Sequence, residues 1–272
     1  MQFRLRLTIT ATFAVMIALV AGRAVFGVEL TEWSGAAHAY PAMFDLQGKK
    51  LANGEFTQQV EGGLLRIKIT YDFGHGGWIE EKAAFRQRPE LIQEEWSWRE
   101  LKAGNLEREF KVNFGAKTAI AQKRAKEGFD HWSEQIEVEA GRTFAGFGFT
   151  LALQNLRPRL VRGEVIELKA VGFMPKPRVV GVKISSQGID RLGMAGRTMK
   201  GDGFLIQPEI PAVAKLFVRV SDTRIWLTNP PPAGFLRWEG PLAESSDPLV
   251  RVDLVSGDQS GAAKPVPSST HR

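Results

Sequence analysis

Between Leu65 and Tyr71 the side chains alternate without a break. Leu65, Ile67, Ile69 and Tyr71 share one parity, and Arg66, Lys68 and Thr70 the other. A helix would scatter these residues around its axis, whereas a strand sets every second side chain on one face. The segment therefore predicts a half-buried β-strand. The same period recurs along the chain. Ile79, Ala83 and Phe85 oppose Glu80 and Lys82, and Trp96 stands two residues from Trp98. Leu106, Phe110, Val112 and Phe114 interleave with charged or amide residues, and Trp132, Ile136 and Val138 oppose Ser133, Gln135, Glu137 and Glu139. Strands apolar on one side and polar on the other are the pattern of an antiparallel meander.

Short runs at Val165–Phe173, Arg178–Ile184, Ile189–Lys200, Phe204–Gln207, Leu216–Val220, Thr223–Leu227, Phe235–Trp238 and Leu249–Val255 continue the series, with Gly188 and Gly201-Asp202-Gly203 read as turns. Thr143–Leu156 breaks it. Phe144, Phe147 and Leu151 fall at helical spacing behind Thr143 as N-cap, the segment is apolar almost all round, and Arg157-Pro158 ends it. Residues 116–127 fit either a helix or a strand. The expected fold class is mainly β: a curved antiparallel sheet or half-open β-barrel with one central apolar helix, acting as a lid or as a plug of the core. Residues 28–55, rich in Gly and Ala, read as an N-terminal arm, 56–255 as a single β-barrel-like domain, and 256–272 as a disordered tail.

Arg4 and Arg6 precede an apolar run, Leu7–Gly22, that Arg23 closes. Its sixteen residues fall short of the roughly 20 that span a bilayer core. Residues 1–27 therefore read as a signal peptide cleaved after Gly27 or Gly22, with a retained anchor as the competing reading, and the expected location is periplasmic or facing the outer membrane. The formal charge of +6 changes meaning with this segment. Three arginines and no acid leave with residues 1–27, so the remainder carries +3. No run of clustered basic residues remains, which argues against a nucleic-acid partner. The chain has no Cys, so disulfides, thiolate metal sites and cysteine nucleophiles are excluded.

No catalytic motif emerges. Asp72-Phe73-Gly74 lacks the companion loops of a kinase, Gly115-Ala116-Lys117-Thr118 lacks the upstream glycine of a phosphate loop, and Gly146-Phe147-Gly148 lacks a βαβ setting. His75 and His131, with Asp72 or Asp130, offer at most a sparse metal site, and the expectation is no metal and no cofactor. Glu80/Glu81 and Glu94/Glu95 could pair across strands as general acid and base. The plainer reading is a solvated face shared with Arg86, Arg88 and Arg99. Trp78, Trp96, Trp98 and Trp132 lie on neighbouring candidate strands. They read either as core packing or as the wall of an apolar cavity.

The order of elements, with Arg159–Glu164 (RLVRGE) after the apolar helix and Asp222–Gly240 (DTRIWLTNPPPAGFLRWEG) near the end, resembles that of bacterial exported proteins of unknown function built on a half-open antiparallel barrel. The architecture is similar to that of the periplasmic lipoprotein carriers, which hold an acyl chain under helical lids. The resemblance covers element order only and transfers no functional residue. It implies a non-enzymatic protein that binds a lipid-like molecule, with peripheral membrane contact as an open point. The pocket would be lined by Trp96, Trp98, Trp132, Phe110, Phe147 and Leu151. A structural protein of the envelope, using a sheet edge or Trp238, and a hydrolase of envelope glycan or lipid are the alternatives.

Overall fold

The structure is a computed structural model that describes residues 27–194, 196–209 and 221–255. The expected leader (but for Gly27), the tail and the strand expected at 216–220 lie outside the described residues. Among the described residues fifteen strands form one sheet. The first eight are β1 (Ala37–Asp45), β2 (Lys50–Glu61), β3 (Leu64–Gly74), β4 (Gly77–Arg86), β5 (Ile92–Lys102), β6 (Asn105–Asn113), β7 (Thr118–Arg124) and β8 (Phe129–Gln135). A short β9 (Thr143–Phe144) leads into α1 (Gly148–Leu160). Then follow β10 (Ile166–Met174), β11 (Lys176–Met194), β12 (Arg197–Pro208), β13 (Thr223–Thr228), β14 (Phe235–Pro241) and β15 (Leu249–Val255).

The spatial order is β8-β7-β6-β5-β4-β3-β2-β1-β15-β14-β13-β12-β11-β10-β9. Every pairing is antiparallel except the parallel contact of β9 with β10. The sheet curls far enough that β7 and β8 come against β11, where Lys176 and Glu134 stand 3.7 Å apart. No ladder of hydrogen bonds joins β8 to β9 among the described residues, so the barrel is half-open. The predicted mainly-β class with one helix is the architecture observed among the described residues.

Leu65, Ile67, Ile69 and Tyr71 are all buried, as their alternation requires. They join one core with Phe85, Phe110, Phe144, Phe204 and the helix residues Leu151, Ala152 and Leu153. At its centre Trp98, Phe110, Phe173 and Trp96 stack in series, with centroids 5.5, 4.6 and 5.7 Å apart. Burying each such ring contributes about 1.5–3 kcal/mol, with a further increment from stacking.

Several expectations are corrected. The arm expected at 28–55 holds β1 and the first half of β2, which pair between β15 and β3. The alternation that would have revealed β1 is absent because Pro41, Ala42 and Met43 are buried in succession. Only the residues before β1 run as an arm, and polar side chains pin them. Asn155 of α1 accepts from the backbone N–H of Thr31 (2.7 Å) and Glu32 (2.9 Å), and Gln87 exchanges two bonds of 2.9 Å with the backbone of Ser34.

The helix begins five residues later than Thr143. The Thr143 hydroxyl accepts from the N–H of Glu139 and serves the preceding turn, while Thr143 and Phe144 pair with Lys169 and Ala170. It also runs past Pro158, held in its last turn by Val161 N–H donating to the Arg157 carbonyl and by Arg157 against buried Asp202 (2.6 Å). Residues 118–124 are strand, which settles the open reading of 116–127. Gly188 is no turn but pairs with Gly203 inside the long β11, directly after a bulge at Gln187. Gly203 lies within β12, where a Cβ would stand 2.9 Å from Trp226 Nε1: the indole, not a turn, demands glycine.

Candidate functional site

Alternation puts one parity of each strand inside the curl, and α1 crosses that interior. Between them lies a cavity of about 770 Å3. Strands β3 to β5 contribute Ile69, Ile79, Trp96 and Trp98, the start of the helix Phe147, Phe149 and Leu151, and β10 Phe173. The C-terminal strands close it with Ile225, Phe235 and Val252. His38, Arg178 and Glu209 border the cavity and are exposed, so polar side chains stand at the edge of a mainly apolar interior.

Four of the six residues expected to line a pocket do so: Trp96, Trp98, Phe147 and Leu151. The other two do not. Phe110 is wholly buried one layer behind, sandwiched between Trp98 and Phe173. Trp132 sits half-buried on the edge strand β8, opposite Ala121. The helix is a plug, not a lid: its first two turns are buried on almost every side, and part of one face forms the cavity wall.

The neighbouring acids Glu80 and Glu81 do not converge, because strand geometry sends them to opposite faces. Glu80 faces out into a basic cluster, at 2.7 Å from Lys82, 2.9 Å from Arg99 and 3.6 Å from Lys68. Burial pushes its carboxyl up, but these three cations outweigh burial and hold it below the ordinary carboxylate range. Glu94 pairs with Arg86 at 2.7 Å. Glu81 faces in and lines the cavity. Its Oε1 accepts from Trp96 Nε1 (2.8 Å) and from the N–H of Phe147 (2.7 Å), the residue that precedes α1. Burial raises its pKa, and the two hydrogen bonds only partly counter the shift. Tyr71 Oη opens on the same cavity; burial, and then the charge of Glu81, push the phenol up. The solvated face expected for Glu81 is corrected: it shares the parity of Ile79, Ala83 and Phe85, which points inward.

Two side chains seat the start of the helix. Glu81 holds Phe147, and buried Gln93 exchanges bonds with the N–H (2.8 Å) and carbonyl (3.2 Å) of Ala145, as a strand neighbour would. Because the folded state raises the pKa of Glu81, this group favours folding at pH values below its unfolded pKa of about 4. That contribution is lost as the pH rises through the folded value. Glu81→Gln keeps an acceptor for both N–H groups and cannot ionise. The variant should melt with the wild type at pH 4 and increasingly above it as the pH rises from there, read by circular dichroism. Parallel curves would show that ionisation costs nothing here.

These features define a half-open β-barrel with an internal helix and an apolar cavity. No family model matches the sequence, and no curated protein does either. Among solved structures the chain is similar to the crystal structure of a beta-barrel-like protein of the domain of unknown function DUF1849 from Brucella abortus. The identity is 9% and the TM-score 0.43, over 82% of this chain and 96% of that one.

Proposed function

We propose that this chain is an exported, non-enzymatic binder of a lipid-like amphiphile, held inside the curled sheet. The observation that carries the reading is the cavity. Its volume falls within the roughly 300–1,000 Å3 of ligand sites, its walls are mostly aromatic and aliphatic, and Arg178 and Glu209 are exposed at its border. Such walls offer little to a polar metabolite and much to a hydrocarbon chain, at about 25 cal/mol per Å2 of apolar surface removed from water. The apolar run at residues 7–22 behind Arg4 and Arg6 supports the exported part of the reading.

The test is native purification from the host, followed by mass spectrometry of the organic extract, together with uptake of a polarity-sensitive naphthalene dye by stripped protein. Co-purifying lipid and saturable dye fluorescence are expected. Leu151→Trp, which fills the cavity from the helix side, should weaken dye uptake at least tenfold while the protein stays folded. Empty protein that takes up no dye would overturn the reading.

A further inference from the structure

The interior offers few polar groups, and two of them lie on adjacent strands. Ile69 of β3 pairs with Glu81 of β4, and Tyr71 stands two residues beyond Ile69, so Tyr71 and Glu81 share one face as diagonal neighbours. Tyr71 is only 8% exposed, it borders the cavity, and its hydroxyl has no hydrogen-bond partner among the described residues. Glu81 is half satisfied. Both N–H donors converge on Oε1, and Oε2 has no partner among the described residues. No cation pairs with Glu81 among the described residues, whereas Glu80 one position away has three.

Resting on the binder reading above, we propose that Tyr71 and Glu81 form an inner polar subsite for an amphiphile bound head-inward. The head would be uncharged and oxygen-bearing, as in an acyl ester. With Oε1 committed as an acceptor, a proton on Oε2 turns Glu81 into a donor beside the donor of Tyr71. Two O–H donors in an apolar wall suit a head group that presents carbonyl or ether oxygens.

A cationic head is the competing chemistry, since a carboxyl beside aromatic rings can hold an ammonium group. The two tryptophans beside Glu81 argue against it, because each already carries a ring contact. Trp96 stacks on Phe173, and Trp98 carries Phe110 at 5.5 Å and the Arg108 guanidinium at 5.2 Å. The upward push of burial on the Glu81 carboxyl agrees with the uncharged form.

Displacement of the naphthalene dye by methyl dodecanoate, dodecane and dodecylamine tests this on the full mature chain. Tyr71→Phe and Glu81→Leu should each weaken the ester by roughly five- to tenfold, the loss of one buried hydrogen bond, and leave dodecane unchanged. Glu81→Gln offers an N–H in place of the O–H and should keep ester binding within about threefold. The carbonyl stretch of the bound ester should lie below its position in hexane and move back in Tyr71→Phe. Tyr71→Phe preserves the shape of the ring, and a melting curve for each variant separates lost binding from lost fold. The proposal is overturned if dodecylamine binds tightest and Glu81→Gln abolishes it. It is also overturned if ester and alkane respond alike to every substitution, an outcome that leaves the cavity-binder reading standing. If neither dye nor any probe enters the wild type, both readings fall together.

Discussion

Arg108→Ala should be destabilised by about 3 kcal/mol, the lower end of the usual cost of stripping the cation from a buried ion cluster, because Arg108, Glu100 and Asp247 keep some exposure. For a domain of this size that is a fall in melting temperature on the order of 10 °C. Arg108 is 12% exposed. Its Nε donates to Glu100 at 2.8 Å, and its Nη1 reaches Glu244 at 3.0 Å and Asp247 at 2.9 Å. Burial alone would lower the guanidinium pKa, but Glu100 and Asp247 reverse the shift and hold it above its ordinary value. Removing it leaves three carboxylates with Lys123, 2.7 Å from Glu244, as their remaining close cation among the described residues.

The position of the cluster makes the loss more than local. Arg108 is on β6 and Lys123 on β7, whereas Glu244 and Asp247 lie in the β14–β15 connection, with β5, β4, β3, β2 and β1 between them in the sheet. The ion pairs are a strut across the curl. Asp247 also receives the N–H groups of Ala243 and Glu244, so the connection takes its shape from the residue that anchors it. Arg108→Lys should recover little, because one ammonium cannot serve Glu100 and Asp247 from opposite sides. A variant that melts within 1 °C of the wild type would show that the curl holds without the strut.

Residue chemistry made the faces of the sheet legible, and most of what it missed involves partners distant in the chain. Leu65, Ile67, Ile69 and Tyr71 announce a strand because their neighbours decide nothing about them; water on one side suffices. β1 escaped notice because a strand buried over Pro41-Ala42-Met43 loses its period. Thr143 resembled a helix cap, yet the donor that claims its hydroxyl is the N–H of Glu139, four residues earlier. Trp96 and Trp132 are equivalent as letters. One lines the cavity because β5 is central, and the other does not because β8 is an edge, an order fixed only by pairing. Arg108 and Glu244 meet across 136 residues, which no local pattern announces. Glu81 is the exception. Strand parity had already assigned its position to the interior, and only the habit of placing charge at the surface hid it.

Gly146→Ala is the second large effect expected, because the turn before α1 has no room for a methyl group. Gly146 has φ of +50°, a left-handed conformation that costs a residue with a Cβ about 1 kcal/mol. The added atom would also lie within contact distance of Glu81 Oε1 and Trp96 Nε1. Those two atoms hydrogen-bond each other, and Oε1 also holds the N–H of Phe147. Relief of the clash must therefore separate the indole from the carboxyl or lift Phe147 from its seat. Either movement leaves a buried donor without a partner, at about 1–3 kcal/mol. The total should reach roughly 3 kcal/mol, and dye uptake should fall with it because Phe147 and Trp96 line the cavity. A double-mutant cycle locates the cause. In a Glu81→Ala background, where half of the obstruction is gone, Gly146→Ala should cost at least 1 kcal/mol less than it does in the wild type. If both backgrounds lose the same amount, only the backbone angle matters, and Glu81 does not seat the helix.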